Sequence, residues 1–230
     1  MPNWNILVLD KSASMFSKKQ TLIEGYNNLV DEQKKQGSKD KFTVIGFNTE
    51  VKIIKDEYFP NVSVMNDSEF NCQGCTALLD AIGMVYNTII DNSDYDNITI
   101  TVITDGMENS SKIFTVDTLN DKREEIDKYY KINFLFIGSD ISCLQNNVML
   151  PHVSQSINYD GNIAQAMKTV SRTMSSQRDG TEYIPDGIVN VSSKESIVQQ
   201  SSTVPLVNKR QHSSVSPPYV SRCEKICKLG

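Results

Sequence analysis

A three-layer α/β domain is what this sequence predicts, and three observations carry that expectation. Strand-like and helix-like stretches alternate along most of the chain, the pattern of helices laid on the faces of a sheet. The first strand-like stretch, Ile6-Leu7-Val8-Leu9, is a near-continuous apolar run, as a strand covered on both faces requires. Oxygen-rich segments follow such strands directly, at Asp10 and again at Asp105, where ligand sites lie in open α/β sheets.

The elements follow in order. Residues 18–35 read as a helix, with Leu22, Tyr26, Leu29 and Gln33 on one stripe and Ile23 and Val30 beside it. Gly37-Ser38 stops it. Residues 41–47 form a strand in which Phe42, Val44 and Ile45 suit burial, while Gly46 marks a bulge or a close approach. Asn48-Thr49 turns the chain into a short strand at 51–54. No period is legible over 55–71, where Pro60 interrupts. Residues 72–76 form a loop that hands over to a helix from Ala77 to about Ile90, with Leu78, Leu79, Ile82, Val85, Tyr86 and Ile89 as its apolar surface. After a polar loop at 91–96, residues 98–104 alternate branched apolar side chains with Thr and read as a strand. A helix at 115–130, weakened by Asn120-Asp121, precedes a strand at 132–137 and its exit loop at 138–140. A short strand at 154–159 and a helix at about 162–175 complete the pattern, with Ala164, Met167 and Val170 facing inward.

Beyond Ser176 the character changes. Gly180, Pro185 and Gly187 interrupt the chain and Ser residues cluster. The expected division is a metal-binding domain at 1–180 and a Ser-rich, flexible tail at 181–230. Within the tail, 194–200 suits a short helix, and 184–191 and 219–229 are candidate binding peptides.

Composition limits the function classes. The chain has 230 residues, 39% hydrophobic and 22% charged, enough for one substantial core. Its formal charge of -5 and pI near 5.1 argue against a binder of phosphate backbones, so nucleic acid is not an expected partner. No apolar stretch is long enough to insert in a membrane. The start lacks a basic region followed by a long apolar run. Five cysteines, an odd and sparse set, suit a reducing compartment. These features place the protein in the cytoplasm, and in host cytoplasm if the gene is viral.

Three segments carry chemistry: Asp10-Lys11-Ser12-Ala13-Ser14, the stretch G-C-T-A-L-L-D-A-I from Gly74, and I-T-D-G-M-E-N from Ile103. A carboxylate with two hydroxyls within five residues is a hard-oxygen set suited to Mg²⁺, Mn²⁺ or Ca²⁺. Together the segments resemble the von Willebrand factor type A domain and its metal-ion-dependent adhesion site, and in phrasing they are similar to stand-alone microbial and viral members. That family uses Asp-x-Ser-x-Ser, a distant Thr and a second Asp, which match Asp10, Ser12, Ser14, Thr76 and Asp105 here. The resemblance covers roughly residues 3–175. It implies a doubly wound, mostly parallel sheet with one antiparallel edge strand. It implies Mg²⁺ as the ion, with Mn²⁺ or Ca²⁺ as substitutes. Ser12, Ser14 and Thr76 would be direct ligands, with the carboxylates partly bridged by water. The first motif departs from the family at Ala13, where Gly is commoner, without removing a donor.

Each neighbouring residue has a plainer reading beside the functional one. Thr76 stands where a helix N-cap belongs, which asks for the same hydroxyl. Lys11 either points away into solvent, the preferred reading, or favours an acidic ligand. Asp80 sits one turn into its helix and is expected to anchor loop amides. Glu108 and Asn109 read as supporting or rim groups, and Met15 and Met107 as local packing. Cys72-x-x-Cys75 has the spacing of half a zinc site or of a redox pair, yet His152 is the lone His of the domain, and Cys223 and Cys227 form a loose pair in the tail. Free thiols are expected.

The leading expectation is a divalent-metal-dependent protein-interaction module whose partner presents an exposed Asp or Glu to the ion. No catalytic residue is assigned, because no nucleophile–base pair and no phosphate-cradling Gly motif is present. The alternatives are a metal-dependent phosphoesterase, in which Asp10, Asp105 and an ion activate water, and a scaffold whose C-terminal tail binds the partner.

Overall fold

The apolar run after Trp4 forms β1 (Trp4–Asp10), and all seven of its residues are buried. It pairs in parallel with β2 (Lys41–Phe47) on one side and β4 (Asn97–Thr104) on the other. β5 (Lys131–Gly138) and β6 (Gln155–Asn158) continue the sheet in parallel beyond β4. β3 (Val51–Tyr58) lies antiparallel along β2, and the two-residue β7 (Ile188–Val189) lies antiparallel along β6. The order is β3-β2-β1-β4-β5-β6-β7. This is the expected mostly parallel, doubly wound sheet with β3 as an antiparallel edge. β7 adds a second antiparallel pairing, which two residues are too few to announce by periodicity.

The structure is a computed structural model that describes residues 2–92, 95, 97–138, 153–159, 162–181 and 183, and the backbone of 188–189. These belong to a unit spanning Met1–Val191. Several sequence expectations lie outside the described residues: 139–140 of the exit loop, Cys143, His152, the helix at 194–200, the peptide at 219–229 with Cys223 and Cys227, and most of the peptide at 184–191.

Helices cover both faces of the sheet because alternate strand residues point opposite ways. On one face Leu7 and Leu9 meet Leu22, Tyr26, Leu29 and Val30 of α1 (Lys19–Lys35) and Met167 and Val170 of α4 (Ile163–Asp179). On the other, Trp4, Ile6 and Val8 meet Ile82, Val85 and Ile89 of α2 (Leu78–Ile90) and Leu119 and Ile126 of α3 (Val116–Ile126). Gln33, on the α1 stripe, is fully buried; its amide donates to Ser171 O at 3.0 Å and to Ser175 Oγ at 3.1 Å.

Three elements differ from the sequence expectation. β3 runs on to Tyr58 because it pairs along the whole of β2, although at its outer position no residue is fully buried and no apolar period shows. Gly46 accounts for part of that edge: a Cβ there would stand 2.4 Å from Ile54 Cδ1, and the β2–β3 register shifts at Val44/Ile45, so close approach and bulge are both present. α3 stops at Ile126, four residues short of expectation. α4 continues to Asp179 because its polar last turn is held: Gln177 accepts from Thr99 Oγ1 at 2.5 Å and Arg178 donates to Gln33 Oε1 at 2.9 Å.

β1 and β4 are adjacent, yet the chain leaves β1 for β2 on one side and β4 for β5 on the other. The crevice beyond their carboxyl ends is therefore a topological switch point, where open α/β sheets hold ligands. Asp10 ends β1, and Asp105 follows β4 directly.

Candidate metal centre

The first oxygen at the switch point is the Asp10 carboxylate, which is fully buried. Its Oδ1 accepts the Ser12 amide at 2.7 Å and its Oδ2 accepts the Thr104 hydroxyl at 2.5 Å. Burial pushes its carboxyl above the ordinary 3.8; the bonds from Thr104 and Ser12 oppose that rise, and the nearby Asp105 charge adds to it. Among the described residues no ion pair reaches Asp10.

The turn after β1 delivers the hydroxyls. Ser12 precedes a 3-10 helix at Ala13–Lys18, so Ala13 adopts a helical backbone open to any L residue, and its replacement of Gly carries no strain. Ser12 Oγ and Ser14 Oγ lie 3.0 Å apart, and Ser14 Oγ donates to Asp105 Oδ1 at 2.6 Å. The other Asp105 oxygen, Oδ2, accepts from the Lys18 ammonium. Asp105 is therefore met by both ends of the turn that carries Ser12 and Ser14.

Thr76 arrives from the loop before α2. The helix N-cap is Ala77 and makes no side-chain cap bond, so the capping role expected for Thr76 is not the one it fills. Its neighbours do that work instead: Glu108 Oε2 accepts the Leu79 amide at 2.9 Å and Ser111 Oγ accepts the Asp80 amide at 3.0 Å. Asn109 clasps Thr76 twice, its Oδ1 accepting the Thr76 amide at 2.8 Å and its own amide donating to Thr76 O at 3.0 Å. The Thr76 hydroxyl is placed beside Asp10 across Gly106. A Cβ at Gly106 would stand 2.9 Å from Thr76 Oγ1 and 3.5 Å from Asp10 Oδ2, so this position has no room for a side chain.

The structure thus brings Asp10, Ser12, Ser14, Thr76 and Asp105 to one rim, from three separate stretches of chain. Loop-to-loop bonds fix them there: Ala13 N donates to Gly74 O at 3.1 Å and Gln73 N to Lys11 O at 2.9 Å. Asp80 anchors loop amides as expected, accepting from Lys112, Ile113 and Phe114, each at 2.9 Å. Glu108 also takes the amides of Ser110 and Ser111, which makes it a brace for the loop. Lys11 turns away from the oxygens, its Nζ 5.9 Å from the centre of the Phe70 ring. Met15 is buried, whereas Met107 is 58% exposed; with Phe16 at 72% it gives the rim two apolar projections.

Sequence reasoning missed Thr104 and Lys18. Thr104 had a legible signal, since it stands in the I-T-D-G-M-E-N stretch directly before Asp105, but its residue type alone did not separate it from the alternating Thr residues of β4. Lys18 had none: it looks like any solvated Lys at the start of a helix.

Among the described residues no group of three or more His, Cys, Asp and Glu gathers. The rim set contains two carboxylates only and draws its remaining donors from hydroxyls. Likewise, no described helix is long and apolar enough to cross a membrane.

No family model and no curated protein sequence matches this chain. Solved structures do. The chain is similar to PilB minor pilin from Streptococcus sanguinis, with TM-score 0.55 and 12% identity over 77% of this chain and 62% of that one. It is similar to a von Willebrand factor type A protein from Catenulispora acidiphila, with TM-score 0.52 and 12% identity over 75% and 42%. It is also similar to the open conformation of the pilus adhesin SpaC from Lactobacillus rhamnosus GG, with TM-score 0.55 and 12% identity over 76% and 30%. The chain spans less than two thirds of each of these proteins. At such identity the likeness establishes the fold, which is of the von Willebrand factor type A kind.

Two expectations are corrected. The cytoplasmic location does not stand: among the structures matched are a minor pilin and a pilus adhesin. Cys75 is disulfide-bonded. The expectation of free thiols therefore fails at Cys75, whose disulfide partner lies outside the described residues. Cys72 is a free, buried thiol, so the two cysteines are not paired with each other.

Proposed function

We propose that this protein is an interaction module that uses a divalent cation, held by Asp10, Ser12, Ser14, Thr76 and Asp105, to bind an acidic side chain of a partner protein. The observation that carries the reading is the convergence of these five oxygen-bearing side chains at the switch point between β1 and β4. The donor set fits the ion: two carboxylates and three hydroxyls are hard ligands, suited first to Mg²⁺ and then to Mn²⁺ or Ca²⁺. The buried Asp10 carboxylate, reached by no ion pair among the described residues, is the charge that such a cation offsets. When bound, the ion supplies an electrophilic position that a partner's Asp or Glu can fill.

The remaining work belongs to the chain. Thr104 and the Ser12 amide orient Asp10; Asn109 and Glu108 fix the Thr76 loop. Phe16 and Met107 offer apolar contact around the acidic group. Nothing in this arrangement supplies a nucleophile with a neighbouring base, so binding is favoured over hydrolysis. The test is calorimetric titration of the full chain with Mg²⁺ and Mn²⁺, beside Asp10→Ala and Thr76→Ala. Saturation by the wild type and loss in both variants is the expected result. Absence of binding both by the folded wild type and by a form lacking the Lys18 charge, or metal-dependent turnover of a phosphate ester, overturns it.

A further inference from the structure

We propose that Lys18 is a tethered competitor of the divalent ion: its ammonium holds Asp105 while the site carries no cation, and it is displaced when one binds. The inference rests on the metal reading above and names a residue which that reading does not use.

Lys18 is the last residue of the 3-10 helix that follows Ser12, so the turn that brings the two Ser hydroxyls also brings a positive charge to the same carboxylate. Asp105 Oδ1 is taken by Ser14 and Oδ2 by Lys18. A cation that uses Asp105, directly or through a water, meets an ammonium already in contact. The exposures are unequal: the Asp105 side chain is 4% exposed and that of Lys18 is 27%. A carboxylate so enclosed keeps its demand for a counter-charge, whereas a long Lys side chain already partly in water can swing out at little cost. The ammonium also offsets one charge of two, since it contacts Asp105 while no ion pair among the described residues reaches Asp10. A divalent ion held by both carboxylates would offset both. That difference lets the ion displace Lys18, and the competition raises the concentration at which it does so.

The experiment titrates Mn²⁺ into the full-length wild type, Lys18→Met and Lys18→Arg, reading binding by calorimetry and by water-proton relaxation, with folding checked by circular dichroism. Lys18→Met is expected to bind Mn²⁺ roughly three- to tenfold more tightly than wild type, the scale of a partly exposed ion pair, while Lys18→Arg keeps near-wild-type affinity. Binding by Lys18→Met with no measurable binding by wild type is the same result in a stronger form. Equal or weaker affinity of Lys18→Met beside a wild type that binds overturns the competitor and leaves the metal site standing. Absence of binding in all three folded proteins overturns the metal site and the competitor together.

Discussion

Ser14 Oγ donates to Asp105 Oδ1 at 2.6 Å, joining the turn after β1 to the end of β4 across 91 positions of sequence. The bond lies at the exposed side of the rim, so it is placed to orient the second carboxylate more than to hold the fold together. Ser14→Ala is therefore expected to change stability by less than about 0.5 kcal/mol, as surface substitutions do. Its ion affinity should fall about tenfold or more, on the scale of one lost ligand or of its positioning bond. Thermal melting of the ion-free protein beside Mn²⁺ titration separates the two effects. A large loss of melting temperature with unchanged affinity would make Ser14 a structural residue only.

Asp10 behaves differently because it is fully buried. Its carboxyl is raised above 3.8, chiefly by desolvation, so the ion-free fold disfavours the charged form. For a raised carboxyl the contribution to stability is present at pH below 3.8 and is lost as pH rises through the raised folded value. Asp10→Asn removes that charge, keeps an acceptor for the Ser12 amide and leaves an amide that Thr104 Oγ1 can accept. The ion-free variant should be more stable than wild type at pH 7 by about 1 kcal/mol, the usual size of a gain bought by relaxing a functional site. It should also show no rise in melting temperature with Mg²⁺. Denaturant unfolding with and without the ion reads both, and a variant less stable than wild type would show that the carboxylate is part of the fold's support.

The two Asp positions explain how much of this site could be read from sequence. Asp10 and Asp105 end strands whose apolar character is plain, so their places at the rim followed from strand boundaries. Ser12 and Ser14 followed from spacing, since a turn of five residues cannot carry them far from Asp10. What sequence left out depends on tertiary contacts. Thr76 was legible as a site residue from its motif; that Glu108 and Ser111, from the loop after β4 some thirty positions away, would hold the α2 amides in its place was not. Lys18 could not be told from a solvated Lys because its partner is 87 positions distant. β3 ran past its expected end because pairing, not periodicity, sets the length of an edge strand. Cysteine counting misled outright: an odd number of thiols does not exclude a disulfide at one of them.

Asp80 carries the loop that positions Thr76. Its side chain is 9% exposed and accepts three consecutive backbone amides, from Lys112 to Phe114. Asp80→Ala leaves those donors without their acceptor, and the expected loss is about 2–3 kcal/mol, the range for hydrogen bonds to a charged group. Hydrogen exchange should speed up at the amides of residues 112–114 first, before the strands are affected. Ion affinity should fall less than in Thr76→Ala, because Asp80 acts on the loop and not on the ion. Unchanged exchange at those three amides would mean that the loop is held by Glu108 alone.

Cys72 and Cys75 make a final contrast within one loop. The Cys72 thiol is buried and pushed up to about 11 from its ordinary 9.0, mainly by desolvation, with the Lys19 charge opposing the rise and Asp10 adding to it. At pH 8 it is protonated, so iodoacetamide should leave Cys72 unmodified in the folded protein and label it on unfolding. The sign of the stability effect follows from the same shift. Between pH 9.0 and about 11 the unfolded chain releases the Cys72 proton while the folded chain keeps it, so this group lowers stability as pH rises through that window. Replacing Cys72 with Ala or Val should flatten that part of the pH profile. Cys75 is already disulfide-bonded, and its amide donates to Thr49 Oγ1 at 3.0 Å next to Thr76. Mild reduction should therefore free the Cys75 thiol together with that of its disulfide partner and weaken ion binding through the 72–76 loop, while Cys72 stays unlabelled. Mass mapping of the labelled cysteines decides it: labelling of Cys72 at pH 8 in the folded, unreduced protein would show that its thiol is neither enclosed nor held protonated.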